Sequence, residues 1–135
     1  MPNRKAPVQS VKGFTLAELM IVVVIVSVLM AIALPAYRDQ VIRSHRATAK
    51  SELLEIANRQ EQFLLANRAY AGALSDLSYA APTDVTLRYT FSISSISNAP
   101  PYYELTATAI NAQAGDGNLT IDSEGVQAPE AKWAR

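Results

Sequence analysis

The sequence predicts an α+β protein: a long N-terminal α-helix, its apolar first half protruding, packed against a small antiparallel β-sheet. Three observations carry that reading. From Phe14 to Leu34 run 21 residues without Lys, Arg, Asp, Gly or Pro. From Tyr37 to Phe63 apolar side chains recur every three or four positions, the period of one helix face. From Val85 onward the pattern changes to alternation, the period of a half-buried strand.

Composition sets the outer limits. A chain of 135 residues, 50% hydrophobic and 18% charged, allows one modest globular domain. Twelve basic residues balance twelve acidic ones, but Arg4, Lys5 and Lys12 all precede the apolar run. Without residues 1–13, nine basic side chains face twelve acidic ones, a charge of −3. A nucleic-acid binder carries a basic surplus, so no specific nucleic acid is expected as a partner. There is no cysteine, hence no disulfide, thiolate nucleophile or cysteine zinc cluster. That absence does not set the compartment.

Residues 1–13 form a polar leader with three basic side chains and two prolines, Pro2 and Pro7. Positive charge just before a span is retained on the cytoplasmic side, which puts the body after Leu34 outside the inner membrane. A helix of residues 14–34 reaches ~31 Å, about one hydrocarbon thickness. Glu18 does not belong in such a run, since a charged side chain costs roughly 2.5–3.5 kcal/mol at mid-membrane and less near the end. A charge there is a functional-site hypothesis by default. A cut between Gly13 and Phe14 would create an α-ammonium four residues, roughly one turn, from Glu18. That ammonium could serve its own subunit's Glu18 or a neighbour's, and staggered pairing would fix an axial register. The competing reading is a conventional signal peptide, with Ala31-Ile-Ala33 as its small-x-small site. Against it stand a run longer than such leaders carry and the unexplained Glu18.

Pro35 removes a backbone donor and crowds the carbonyl of Ala31, so it kinks, loosens or ends a helix. The pattern nevertheless resumes at once through Tyr37, Val41, His45, Ala49, Leu53, Ile56, Gln60 and Phe63. Arg38, Asp39, Arg43, Arg46, Lys50, Glu52, Glu55 and Arg59 fall largely off that stripe. The expectation is one helix from Phe14 to about Asn67, bent or loosened near Pro35. Residues 14–34 form its membrane and assembly half and residues 35–69 its amphipathic half. So long a helix cannot bury both halves in so small a domain.

Residues 70–135 supply the cover. Gly72 is the expected C-terminal cap, and Ser75 to Asp84 a connecting loop with turn residues Asp76, Pro82 and Asp84. Val85, Leu87, Tyr89, Phe91 and Ile93 give the inward face of a first strand, ended by Asn98-Ala-Pro-Pro101. Tyr103, Leu105, Ala107 and Ala109 give a second, and Leu119 and Ile121 a third after a turn at Ala114–Gly117. Three consecutive strands with short connections predict an antiparallel sheet over the helix. Trp133 is expected to pack back on the sheet edge.

The stretch K-G-F-T-L-A-E-L-M-I-V from Lys12, with Pro35 closing the apolar run, resembles the amino-terminal signature of type IV pilins and of the related type II secretion pseudopilins. The resemblance implies cleavage after Gly13 by a prepilin peptidase, N-methylation of Phe14, an assembly role for Glu18 and a helix-softening one for Pro35. It also implies other pilin subunits and an inner-membrane assembly machinery as partners, with residence in the inner membrane before assembly and in an extracellular filament after it. Adhesion and twitching motility are the activities implied. Ala17 stands where Ile or Val is commoner. The cystine that closes the carboxy-terminal loop of many type IV pilins has no counterpart here, so no disulfide loop carries over. The run N-L-T-I-D-S-E-G followed by Trp133 resembles the late part of pilin heads more weakly.

Other chemistry is thin, and no catalytic residue, cofactor or metal site is expected. His45, the one histidine, lies on the helix stripe and reads as packed or half-exposed. No G-x-S-x-G elbow and no phosphate-binding glycine loop occurs. Asp116, Asn118, Thr120 and Asp122 faintly resemble a calcium loop, but Ile121 and Gln127 stand where an EF-hand needs Gly and Glu. They read as the solvent face of the third strand. Asn118-Leu-Thr120 fits a glycosylation sequon, a match that carries no weight without the host. Arg38, Arg43, Arg46 and Lys50 read as a solvated helix surface. Three functions therefore compete: a subunit of a type IV pilus, for which the short head suggests a minor one; a pseudopilin, which a late calcium site would favour; and a DNA-uptake pilin, which would need a basic patch on the head.

Overall fold

A computed structural model describes residues 13–134; residues 1–12, and with them nearly all of the expected leader, lie outside the described residues. The chain divides into two compact units, Met1–Arg38 and Asp39–Arg135.

In the first unit, helix α1 (Leu16–Asn67, 52 residues) begins. Every side chain from Phe14 to Leu34 is exposed. Length and hydropathy together qualify α1 to cross a membrane. The helix continues through Pro35. The hydroxyl of Ser27 donates to the carbonyl of Val23 at 2.7 Å, so this polar group within the apolar run is satisfied locally.

In the second unit the stripe read from the sequence is the buried one. Ala49, Leu53, Ile56 and Gln60 are buried, while Val41, His45 and Phe63 are half-buried. The helix stops at Asn67 because Arg68 turns left-handed (φ 59°) and its N–H reaches back to the carbonyl of Leu64 at 2.7 Å. This is the single-bond left-handed stop, which satisfies one of the four unpaired terminal carbonyls. Gly72, expected in that role, comes too late, because the bond must be made directly after the last helical residue. Gln60 then fastens the reversal: its Nε2 donates to the carbonyl of Ala71 at 3.0 Å and its Oε1 accepts from the Ala71 N–H at 2.8 Å.

A 3-10 turn (Leu74–Leu77) and a short helix α2 (Thr83–Thr86) follow. Residues 85 and 86, expected to open the first strand, belong instead to α2. Pro82 precedes that turn, Asp84 lies in its first turn, and the Thr86 hydroxyl bonds the carbonyl of Thr83 at 2.9 Å. The helical turn shifts the phase of the pattern. Val85 stays buried, but Leu87, expected inward, is 60% exposed.

The sheet runs β1 (Tyr89–Asn98), β2 (Pro101–Ala109), β3 (Leu119–Asp122) and β4 (Gln127–Ala128), in that spatial order and antiparallel throughout. The two-residue β4 adds a strand to the three expected. Register puts Phe91, Ala107 and Leu119 in one inward row and Ile93, Leu105 and Ile121 in the next. These rows share one apolar core with Ala49, Leu53 and Ile56 of α1. A bulge between Ile93 and Ser95 shifts the strand's alternation, and Ile96 beyond it is 41% exposed. A 3-10 segment (Asn111–Asp116) links β2 to β3, and a last turn, α3 (Glu130–Trp133), brings half-buried Trp133 against the core.

Candidate assembly site at the start of the apolar helix

Gly13, Phe14 and Thr15 precede α1 in non-helical backbone, and Phe14 is 88% exposed. Among the described residues, and apart from its chain neighbours, no atom lies within 4 Å of where a Cβ on Gly13 would stand. Packing within the described residues therefore makes no demand for glycine at this position.

Glu18 lies in the first turn of α1, where the positive end of the helix dipole favours an acid. It is not solitary. Its Oε2 accepts the Thr15 N–H at 2.8 Å and the Thr15 hydroxyl at 2.9 Å, while its own N–H donates to Thr15 Oγ1 at 3.2 Å. Thr15 thus caps the helix and Glu18 returns the bond three residues on, the reciprocal pair known as a capping box. Two of the four unpaired N-terminal donors are satisfied in this way. Phe14 and Leu19 occupy the positions of the apolar staple that accompanies such a box. Sequence reasoning treated Glu18 as a partnerless charge and passed over Thr15. The signal was present as T-x-x-E immediately before an apolar run. Pro35 lies 17 residues on, about 26 Å along the helix axis, and belongs to no common site with Glu18.

The head holds a second polar assembly. Asp116, expected on the solvent face of the third strand, sits instead in the 3-10 segment before it and turns toward α1. Its carboxylate accepts from Arg46 Nε at 2.8 Å, from Arg46 Nη2, from the Tyr89 hydroxyl at 3.0 Å and from Gln113 Nε2 at 3.1 Å. Gln113 also donates to the carbonyl of Ile42 at 3.0 Å. Four donor atoms of three side chains, one each on α1, β1 and the 3-10 segment itself, meet at this carboxylate. Burial pushes the Asp116 carboxyl up, and the bonds from Arg46, Tyr89 and Gln113 reverse that and leave it below its ordinary value. Burial and the bond to Asp116 push Tyr89 up to about 12. Lys50 Nζ lies 5.7 Å from the Trp133 ring centroid, a cation–π distance. Of the basic face expected along the helix, Arg46 and Lys50 are therefore engaged within the head, while Arg43 is exposed. His45 is half-buried, and burial followed by the charge of Arg88 lowers its pKa. Among the described residues no group of three or more His, Asp or Glu could hold a metal ion.

Two family models match the sequence. One, described as prokaryotic N-terminal methylation motif, matches residues 9–34. The other, described as type IV minor pilin ComP, DNA uptake sequence receptor, matches residues 35–120, well over half of the chain. The chain belongs to the type IV pilin family. This pilin is similar to the fimbrial protein EcpC of Eikenella corrodens, 63% identical over 38 residues, which are 28% of this chain and 25% of that one. A fimbrial protein of Pseudomonas aeruginosa is 46% identical over 54 residues, 40% of this chain and 35% of that one. A longer match, 29% identical over 114 residues, joins it to a fimbrial protein of Neisseria meningitidis serogroup B, covering 82% of this chain and 64% of that one. The pilin thus spans only part of the length of the curated relatives it matches. Among solved structures, a type IV pilin from Shewanella oneidensis shares its fold, with a TM-score of 0.55 at 23% identity, over 70% of this chain and 99% of that one.

Proposed function

We propose that this pilin is a structural subunit of a type IV pilus, of the minor class. It is made as a precursor with residues 1–13 as leader, held in the inner membrane by residues 14–34, cut after Gly13 by a prepilin peptidase and N-methylated on Phe14. The apolar half of α1 then passes from lipid into a bundle of neighbouring helices. That exchange is feasible because lipid tails and apolar helix faces are alike in polarity. Glu18 pairs there with the ammonium of a Phe14, and Pro35 lets the helix adjust. The observation that carries the reading is the wholly exposed apolar run with one carboxylate in its first turn, one turn from the Gly13–Phe14 bond. Mass spectrometry of the native product tests it. The expected amino terminus is a methylated Phe14, and a start at any other residue overturns the proposal. Glu18→Ala is expected to be cleaved normally and to assemble poorly; unchanged filament yield would remove Glu18 from its role.

A second reading is favoured by the family model over residues 35–120, whose description names a DNA uptake sequence receptor. It runs against the charge of −3 expected for the processed chain and against the internal use of Arg46 and Lys50. On this reading the head contacts duplex DNA through its exposed cations, Arg43 and Arg68 among them. Binding would weaken with a log–log salt slope of about −0.9 per phosphate contacted. Gel-shift titration of the processed protein against short duplexes at two salt concentrations separates the two readings. Retention at physiological salt supports a receptor, and its absence leaves the structural subunit.

A further inference from the structure

The reciprocal bonds at the start of α1 are divided unequally between the two carboxylate oxygens. Both donors of Thr15, its N–H and its hydroxyl, land on Glu18 Oε2. Oε1 accepts no hydrogen bond from any described residue. A glutamate side chain free to rotate samples many rotamers, and holding it in one carries an entropic cost. Here the Thr15 N–H, at 2.8 Å, and the Thr15 hydroxyl, at 2.9 Å, do the holding together, and they leave one oxygen open. Resting on the reading that Glu18 meets an ammonium in the filament, we propose that Thr15 is its positioning residue: it clamps Oε2 and presents Oε1 to the incoming ammonium.

The arrangement has a chemical logic in an apolar medium. A carboxylate in lipid with no donor is expensive, and while a precursor waits for assembly no second subunit is at hand. The Thr15 donors lower that cost without neutralising the charge, so the attraction for an ammonium survives. Pairing then adds a bond to Oε1 and requires none at Oε2 to break. A valine at position 15 keeps the shape of threonine and its backbone N–H but lacks the hydroxyl donor. A glycine lacks it too, yet caps helices nearly as well as threonine, so it separates positioning from capping.

The experiment replaces Thr15 by Ser, Val and Gly, and Glu18 by Ala, in the host that makes this pilin. Mass spectrometry scores the amino terminus, and sheared filament is scored per cleaved subunit in the membrane. Thr15→Ser is expected to assemble like the parent. Thr15→Val and Thr15→Gly should both be cleaved after Gly13 and lose assembly about ten-fold, the range of a hydrogen bond to a charged group. In a Glu18→Ala background, Thr15→Val should add no further loss, because the residue it positions is gone. Wild-type assembly by Thr15→Gly alone would assign the hydroxyl to helix capping and overturn the proposal. Further loss in the double variant would do the same. Unchanged assembly by Glu18→Ala would instead sink the pairing on which the proposal rests.

Discussion

From Phe14 to Leu34 every side chain is exposed, and the polar groups of Thr15, Glu18 and Ser27 are each bonded within three or four residues. In the head, residues from both α1 and the sheet bury one another in a single core, and no buried side-chain N or O among the described residues lacks a partner. The same residue types, Leu, Ile, Val and Ala, build both regions. What differs is the source of their cover: in the head the chain supplies it, and in the apolar run a surrounding medium or a neighbouring helix must. A substitution in the head should therefore be read in the stability of the chain, and one in the apolar run in its insertion and assembly.

The largest expected effect breaks the head alone. Leu53 is fully buried at the centre of the stripe, and truncating such a leucine costs about 2–5 kcal/mol. Leu53→Ala in detergent-solubilised protein should lower the thermal midpoint of the head by more than 10 °C, with membrane insertion unchanged. Next in size is a charge at the middle of the apolar run. Val24→Lys should raise the insertion cost by about 3 kcal/mol and leave the unfolding of the head where it was. A fall in head stability with Val24→Lys, or an insertion defect with Leu53→Ala, would dissolve the comparison.

A smaller effect comes from the Arg46–Asp116 pair. Asp116→Asn leaves Arg46 and Tyr89 with a weaker acceptor, for an expected loss of about 2 kcal/mol. The native Asp116 pKa lies below its ordinary 3.8. Its contribution is therefore complete above that value and is lost as pH falls through the native pKa. The loss from His45 opens at the higher pH, because its pKa is lowered from 6.5: protonation opposes the fold, so its contribution is lost as pH falls below 6.5 toward the native value. Thermal midpoints should fall in two steps as pH is lowered, one opening below 6.5 and the other below 3.8. Asp116→Asn should remove the lower step and leave the upper.

Legibility followed the length of the pattern. From Val41 to Phe63 the stripe, and the inward faces of β2 and β3, were read correctly, because in each one period persists across several residues against one continuous partner. Tyr37, read as the start of that stripe, is 69% exposed, and the apolar run was legible from its length and composition alone. The start of β1 was misread. Val85 and Leu87 extend the alternation of Tyr89, Phe91 and Ile93, but Pro82-Thr83-Asp84 favours a helical turn and interrupts it. Strand β4, at two residues, has no period to detect and exists only because β3 offers it an edge. Asp116 was assigned to solvent because alternate polar residues resemble a strand's outer face. Arg46, 70 residues away, could not be seen to oppose it. At the assembly site the error was of a different kind. Thr15 stood in view, but a charge in an apolar run was expected to meet an ammonium, its own subunit's or a neighbour's, and the neutral donor three residues away was passed over.

The smallest prediction tests the boundary of the long helix. Arg68 adopts φ 59° to bring its N–H to the carbonyl of Leu64, a conformation that costs a side-chain-bearing residue about 1–2 kcal/mol. It is exposed and forms no ion pair within the described residues, so no side-chain contact offsets that strain. Glycine adopts the conformation freely but loses more backbone entropy on folding. The net expectation for Arg68→Gly is a gain of about 0.5–1 kcal/mol in the head, with a thermal midpoint a few degrees higher. A loss of stability with Arg68→Gly would mean that the Arg68 side chain, and not the backbone bond, ends the helix.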